Sequence, residues 1–303
     1  MATGPVSPAG MFADRLASAV SASAPCCVGL DPHRGRFARH RQEKMTSPSN
    51  TAQQVLEWGM EVLDAVDGLV PVVKPQVGFF EPLGYRGWAV LEQLCAEARR
   101  RGLIVLLDAK RGDIGSTAEG YAQALLDNDG PIAADAVTLS PYMGRDSIEP
   151  FLARCDEQAK GLFVLVRTSN RGGADLQPGK AAPEVASWLR AWNADRRGDC
   201  GLGPVGAVVG ATVPEEAAAL RDQLATSWIL VPGYGAQGGT AGDTHPNFLP
   251  NGHGALVNSS RGVLFPSPDL ADAYEDDAVA VVRANARRFT EDIRGSFRAN
   301  PPL

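Results

Sequence analysis

The stretch LLDAKRGDIGSTA, residues 106–118, decides how the chain is read. It opens as an apolar strand, then sets Asp108, Lys110, Arg111 and Asp113 close together before turning into Gly115-Ser116-Thr117. Side chains two apart on a strand project from one face, so Asp108 and Lys110 point the same way. On an interior face an isolated charge is very costly, whereas opposite charges side by side lower that cost and keep one another ionised. Such an array suits chemistry in which negative charge moves and a proton is delivered. The bland alternative is a surface salt-bridge ladder at a strand end.

Working outward, seven further apolar runs read as strands: PCCVGLD (25–31), LVPVVKPQ (69–76), AVTLS (136–140), GLFVLVRTS (161–169), VGAVVGAT (205–212), WILVPG (228–233) and ALVNSSR (255–261). With LIVLLDAK (103–110) they make eight. Apolar residues return at helical spacing between them. One stripe is Val55, Gly59, Val62 and Val66 after a cap expected at Asn50, and a second is Trp88, Leu91, Cys95 and Ala98. A third is Ile114, Ala118, Tyr121 and Leu125, and a fourth is Val185, Trp188, Leu189 and Trp192 after Pro183. Val282, Ala286, Phe289 and Ile293 mark a long final helix, and MFADRLASAV (11–20) an extra helix before the first strand. Eight strands alternating with helices in 303 residues predict an α/β fold, a single-domain (β/α)8 barrel with an added N-terminal helix. From pattern alone, a doubly wound open sheet is the alternative. The barrel is expected over 11–298, with loose tails at 1–10 and 299–303. Two long loops are expected, a basic one at 32–49 with a short helix and a Gly-rich one at 236–254.

Composition narrows the function. The net charge of −6 argues against nucleic acid or an anionic membrane as partner, and no run approaches a membrane span. An anionic substrate therefore needs a locally basic site. Cys26, Cys27, Cys95, Cys155 and Cys200 are odd in number and lack a C-x-x-C spacing, which suits reduced thiols in a cytoplasm. His33, His40, His245 and His253 form no metal-ligand spacing, and MATGPVSPAG at the start does not read as a signal peptide.

Active sites of such barrels lie at the carboxyl ends of the strands. Every strand here ends in polar groups: Asp31; Lys74 and Gln76; Asp108 and Lys110; Ser140; Thr168, Ser169 and Asn170; Thr212; PGYGAQGG (232–239); and Ser259, Ser260 and Arg261. Ser140 and Thr212 serve equally well as caps of the next helix. Lys74, one strand over, is placed to join Asp108 and Lys110. In PGYGAQGG, Gly233, Gly235, Gly238 and Gly239 let backbone amides approach an anion, and Arg261 adds a charge-assisted fork, so a phosphate is expected there. Asp31 has no second carboxylate at ligand spacing, which favours a hydroxyl contact over a metal.

DAKRGDIGSTA strongly resembles the signature of orotidine 5′-phosphate decarboxylases, and GLDP, VVKPQVGFFE, TLSPYMG, LVRTSN, PGYGAQGG and NSSRG follow in that family's order. The length and the two long insertions resemble its longer bacterial subgroup. The resemblance implies a cytoplasmic homodimeric barrel that converts orotidine 5′-phosphate to UMP and CO2 without metal or organic cofactor. It implies a charged tetrad of Lys74, Asp108, Lys110 and Asp113, with Lys110 protonating C6. It further implies that Asp113 and Thr117 reach the neighbouring subunit's site, that Asp31 binds ribose and that Ser169 contacts the pyrimidine. Gly235 or a neighbouring amide, Gln237 and Arg261 would form the phosphate grip, and Pro232 would also contact the substrate. One departure is Arg171, where the family commonly has proline after TSN. Competing readings are a Mg2+-dependent sugar-phosphate lyase, which should carry an acid where this chain has Lys74; a non-catalytic nucleotide-binding barrel; and a Schiff-base aldolase, which needs a neutral lysine.

Overall fold

The computed structural model describes residues 10–299. Eight parallel strands close into a barrel in chain order: β1 (Cys26–Leu30), β2 (Val72–Pro75), β3 (Ile104–Arg111), β4 (Ala136–Leu139), β5 (Gly161–Arg167), β6 (Gly203–Val209), β7 (Ser227–Val231) and β8 (Ala255–Ser259). All pairings are parallel, and β8 returns to β1. The open-sheet alternative is thereby excluded. Eight main helices accompany the strands: α1 (Phe12–Ala22), α2 (Pro48–Val66), α3 (Tyr85–Arg100), α4 (Gly115–Leu126), α5 (Glu149–Gln158), α6 (Ala181–Asn193), α7 (Pro214–Gln223) and α8 (Ala278–Ala299). The tails expected at 1–10 and 299–303 lie almost wholly outside the described residues.

Strand parity builds two cores. Outward residues such as Val28, Val73, Val105, Val137, Val164 and Val257 pack beneath the helices, where helix stripes bury their apolar area. Inward residues Cys27, Val72, Leu106, Ala136, Phe163, Trp228 and Leu256 fill the barrel together with Phe12, Leu16 and Val20 of α1. The extra N-terminal helix is thus a plug, with Phe12 edge-on to Phe163 at 6.2 Å between ring centres. One turn of strand further toward the carboxyl ends, inward positions become polar: Lys74, Asp108, Thr138 and Asn258. The barrel floor is apolar and its mouth is charged.

Local departures have local causes. The cap of α2 is Ser47, whose hydroxyl accepts from the Asn50 N–H at 3.1 Å, with Pro48 pre-set for the first turn. Asn50 is therefore inside the helix. On α4 the buried face is Ala118, Ala122, Leu125 and Leu126, while Ile114 and Tyr121 of the expected stripe are exposed. The basic loop carries a short helix, Arg39–Glu43, held by buried Arg41, whose guanidinium reaches both oxygens of Glu61. The Gly-rich loop contains another at Ala241–Thr244 with a reciprocal Thr240–Asp243 cap. No helix among the described residues is long and apolar enough to cross a membrane.

Candidate active site

A cavity of about 470 Å³ opens at the carboxyl ends of the strands. At its centre, Asp108 accepts four hydrogen bonds. Lys74 Nζ and Gln76 Nε2 each donate to Oδ2 at 2.9 Å. Lys110 Nζ donates to Oδ1 at 2.5 Å and the Thr138 hydroxyl to the same oxygen at 2.8 Å. Burial opposes the charge on Asp108, but Lys74 and Lys110 outweigh it and hold the carboxyl well below its ordinary range. Lys74 is also buried, and against that penalty Asp108 and then Asp31 hold its ammonium on. Lys110 differs: its side chain is 44% exposed and faces the open cavity. The carboxylate is thus anchored from below by one lysine and presented to the cavity beside another.

Lys110 owes its place to an irregularity in β3. Leu107 pairs with Val137 and Arg111 with Leu139, so four steps of β3 span two steps of β4. The extra residues bulge from the ladder, and Lys110 takes a φ of +45°, in the left-handed region that side chains disfavour. Arg111 leaves the site, pairing with Glu81 at 2.8 Å. Asp113 has no ion pair among the described residues; its carboxylate accepts the Ile114 N–H at 2.8 Å at the start of α4. The alternating charges of the sequence therefore split three ways, and Asp108, Lys110 and Lys74 alone cluster.

Asp31, Ser169, Pro232 and Gln237 line the same cavity. Asp31 is buried, and its Oδ1 has no protein partner among the described residues. Ser169 sits where β5 gives way to loop: Thr212 Oγ1 donates to its carbonyl at 3.0 Å, and Gly210 packs so closely that an added Cβ would come within 2.8 Å of it. Thr212 therefore braces Ser169 and caps no helix, and Ser140 likewise caps none. Gln177 ties down the segment before Arg171: its Oε1 accepts the Thr168 N–H at 2.8 Å.

The glycine loop is only partly as expected. Gly233 and Gly238 have φ of +103° and +94°, which no ordinary side chain adopts. The Gly235 amide, however, donates to the Gly239 carbonyl at 2.8 Å, so it serves the loop itself, and Gly235 is exposed and off the cavity lining. The amides of Ala236 and Gln237 have no such backbone partner among the described residues. Arg261 stands beside them, with one long 3.4 Å contact to the Ala236 carbonyl. Tyr234 ties the loop to α8 through a 2.6 Å bond to Asp292. Thr117 is exposed on α4, and neither it nor Asp113 lines this chain's own cavity.

Sequence reading passed over Thr138 and Asn258 as site residues and left Gln76 without a role. Strand parity held the signal for Thr138 and Asn258, since each is a polar residue at an inward position of an otherwise apolar strand. Among the described residues, no three His, Cys, Asp or Glu side chains gather at metal-binding distance.

A closed parallel barrel whose carboxyl-end cavity holds an ion-paired Lys-Asp-Lys group, with a glycine loop after β7 beside an arginine after β8, has the layout of the phosphate-binding (β/α)8 enzymes. Within that class the chain belongs to the orotidine 5′-phosphate decarboxylase / HUMPS family, which it matches over residues 25–276. It is 42% identical to the orotidine 5′-phosphate decarboxylase of Rhodopirellula baltica, over 94% of this chain and 99% of that one. A Streptomyces avermitilis crystal structure provisionally assigned the same name superposes with a TM-score of 0.81 at 37% identity, covering 96% of this chain and 98% of its own. Leishmania donovani OMP decarboxylase gives 0.72 at 33%, covering 95% and 98%.

Proposed function

We infer that this chain decarboxylates orotidine 5′-phosphate to UMP and CO2. The observation that carries the reading is Asp108 held between Lys74 and Lys110 in the cavity floor, in a chain whose relatives bear that name. Loss of CO2 leaves an electron pair on C6 with little resonance relief, so a fixed ammionium beside it is the main local stabiliser. Lys110 supplies that charge and then its proton to C6, leaving a neutral amine that water reprotonates. Asp108 holds Lys110 in place through their ion pair, and Lys74 helps keep Asp108 ionised. Asp31 takes a ribose hydroxyl and Ser169 the pyrimidine, while Gln237, Arg261 and a free amide of the glycine loop take the phosphate, with Pro232 shaping the wall.

The working unit is a homodimer in which Asp113 and Thr117 complete the neighbouring site. Ile114, Tyr121, Tyr142 and Met143, which expose apolar surface at and on α4 and after β4, support this. No metal or organic cofactor takes part, and the enzyme works in the cytoplasm. Lys74 occupies the place where a Mg2+-dependent lyase needs an acid. The test is loss of orotidine 5′-phosphate absorbance in EDTA, comparing the native chain with Lys110→Ala. Metal-independent turnover that falls about 10²–10⁴-fold in the variant is expected from loss of a general acid. Turnover only with Mg2+ would overturn the reading.

A further inference from the structure

Thr138 lies in the middle of β4, buried, and its hydroxyl makes two bonds at once. It accepts the Lys110 backbone N–H at 3.0 Å and donates to Asp108 Oδ1 at 2.8 Å. These are the two ends of the D-A-K bulge, where the β3–β4 ladder is interrupted and Lys110 is left-handed. With the ladder partner missing, a side-chain hydroxyl takes its place. The other donors to Asp108, apart from Lys110, both lie on Oδ2. Oδ1, the oxygen that Lys110 uses, is therefore oriented by Thr138.

We propose that Thr138 is a positioning residue: its hydroxyl clamps the Lys110 backbone and the Asp108 carboxylate together, and so fixes where the Lys110 ammonium stands in the cavity. Valine has nearly the same shape, so Thr138→Val removes the clamp and keeps the packing. It leaves the Lys110 N–H without its partner and frees Asp108 to turn about its Oδ2 contacts. Ser keeps the hydroxyl and restores the clamp.

The kinetic part of the proposal rests on the decarboxylase reading; a second measurement does not. In Thr138→Val, kcat should fall about 10- to 100-fold, as expected for a lost hydrogen bond to a charged group. KM and UMP affinity should stay near native, because neither needs the ammonium at C6, and Thr138→Ser should recover most of kcat. Independently, the chain has five lysines, so ¹⁵N-lysine labelling leaves five backbone amide signals, and the one lost in Lys110→Arg is the Lys110 amide to follow by hydrogen exchange. That amide should exchange slowly in the native protein and in Thr138→Ser, and fast in Thr138→Val. Unchanged protection in the valine variant would refute the clamp, whatever reaction the enzyme performs. A fast amide with native kcat would show that the clamp does not position the ammonium. Equal loss of kcat in both variants, or a loss confined to KM and thermal stability, would make Thr138 a packing residue only. A native protein that does not turn over orotidine 5′-phosphate sinks the decarboxylase reading, and the exchange result still decides the clamp.

Discussion

Replacing Asp108 with asparagine should cost the fold as well as the reaction. The side chain keeps its size, but Lys74, 5% exposed, then faces its surroundings with Asp31 as the remaining nearby carboxylate. Removing one partner of a buried ion pair costs about 3–5 kcal/mol, because the other charge stays buried. Lys110 adds little to that figure, since its half-exposed ammonium is screened by water. At about 2.1 cal/mol/K of unfolding entropy per residue, a chain of 303 residues loses about 5–8 °C of Tm for that penalty. Scanning calorimetry at neutral pH reads it directly. The pH dependence has a definite sign. Asp108 has a folded pKa below its ordinary 3.8, so its contribution is fully present above 3.8 and is lost as pH falls through the lower folded value. The gap between native and variant should hold constant from about pH 8 to about pH 5 and close only in stronger acid. Lys74→Met combined with Asp108→Leu, which removes both buried charges, should recover most of the lost Tm while abolishing activity. A single Asp108→Asn variant melting within about 1 °C of native would refute the argument that Lys74 depends on this carboxylate.

Two further outcomes test the proposed site. Arg261→Ala should lower kcat/KM for the nucleotide about 10- to 150-fold, the worth of one charge-assisted hydrogen bond, and scarcely affect a phosphate-free nucleoside analogue; equal losses on both would remove Arg261 from the phosphate grip. Mixing Lys110→Ala with Asp113→Asn subunits should restore about one quarter of native activity, since half the dimers are mixed and each holds one intact site. An inactive mixture would place Asp113 in its own chain's site or outside any.

The sequence made the barrel legible because each strand is a compact apolar run that ends in polar residues, and this pattern needs no tertiary information. Asp108 and Lys110 were legible for the same reason: period-two spacing sets them on one face. What lay beyond reading was whatever depends on register between strands. The Thr138 hydroxyl meets Lys110 only because β3 and β4 slip past each other at residues 107–111. Nor does spacing reveal that Gly235 spends its amide within its own loop, or that Arg111 turns to Glu81. The turn into α4 carries Asp113 off this chain's cavity lining, in keeping with a reading that never sets it on the inward face of β3.

The left-handed backbone at Lys110 also bears on how far this protein can be stabilised. Among the described residues, three non-glycine residues have positive φ: Lys110, Ala133 and Ala159. Glycine at such positions relieves backbone strain of about 1–2 kcal/mol, and Ala159, at the end of α5, is a natural place to gain it. The same rule applied at position 110 would delete the ammonium along with the strain. An engineer following backbone statistics alone would harden the barrel and silence it in a single step.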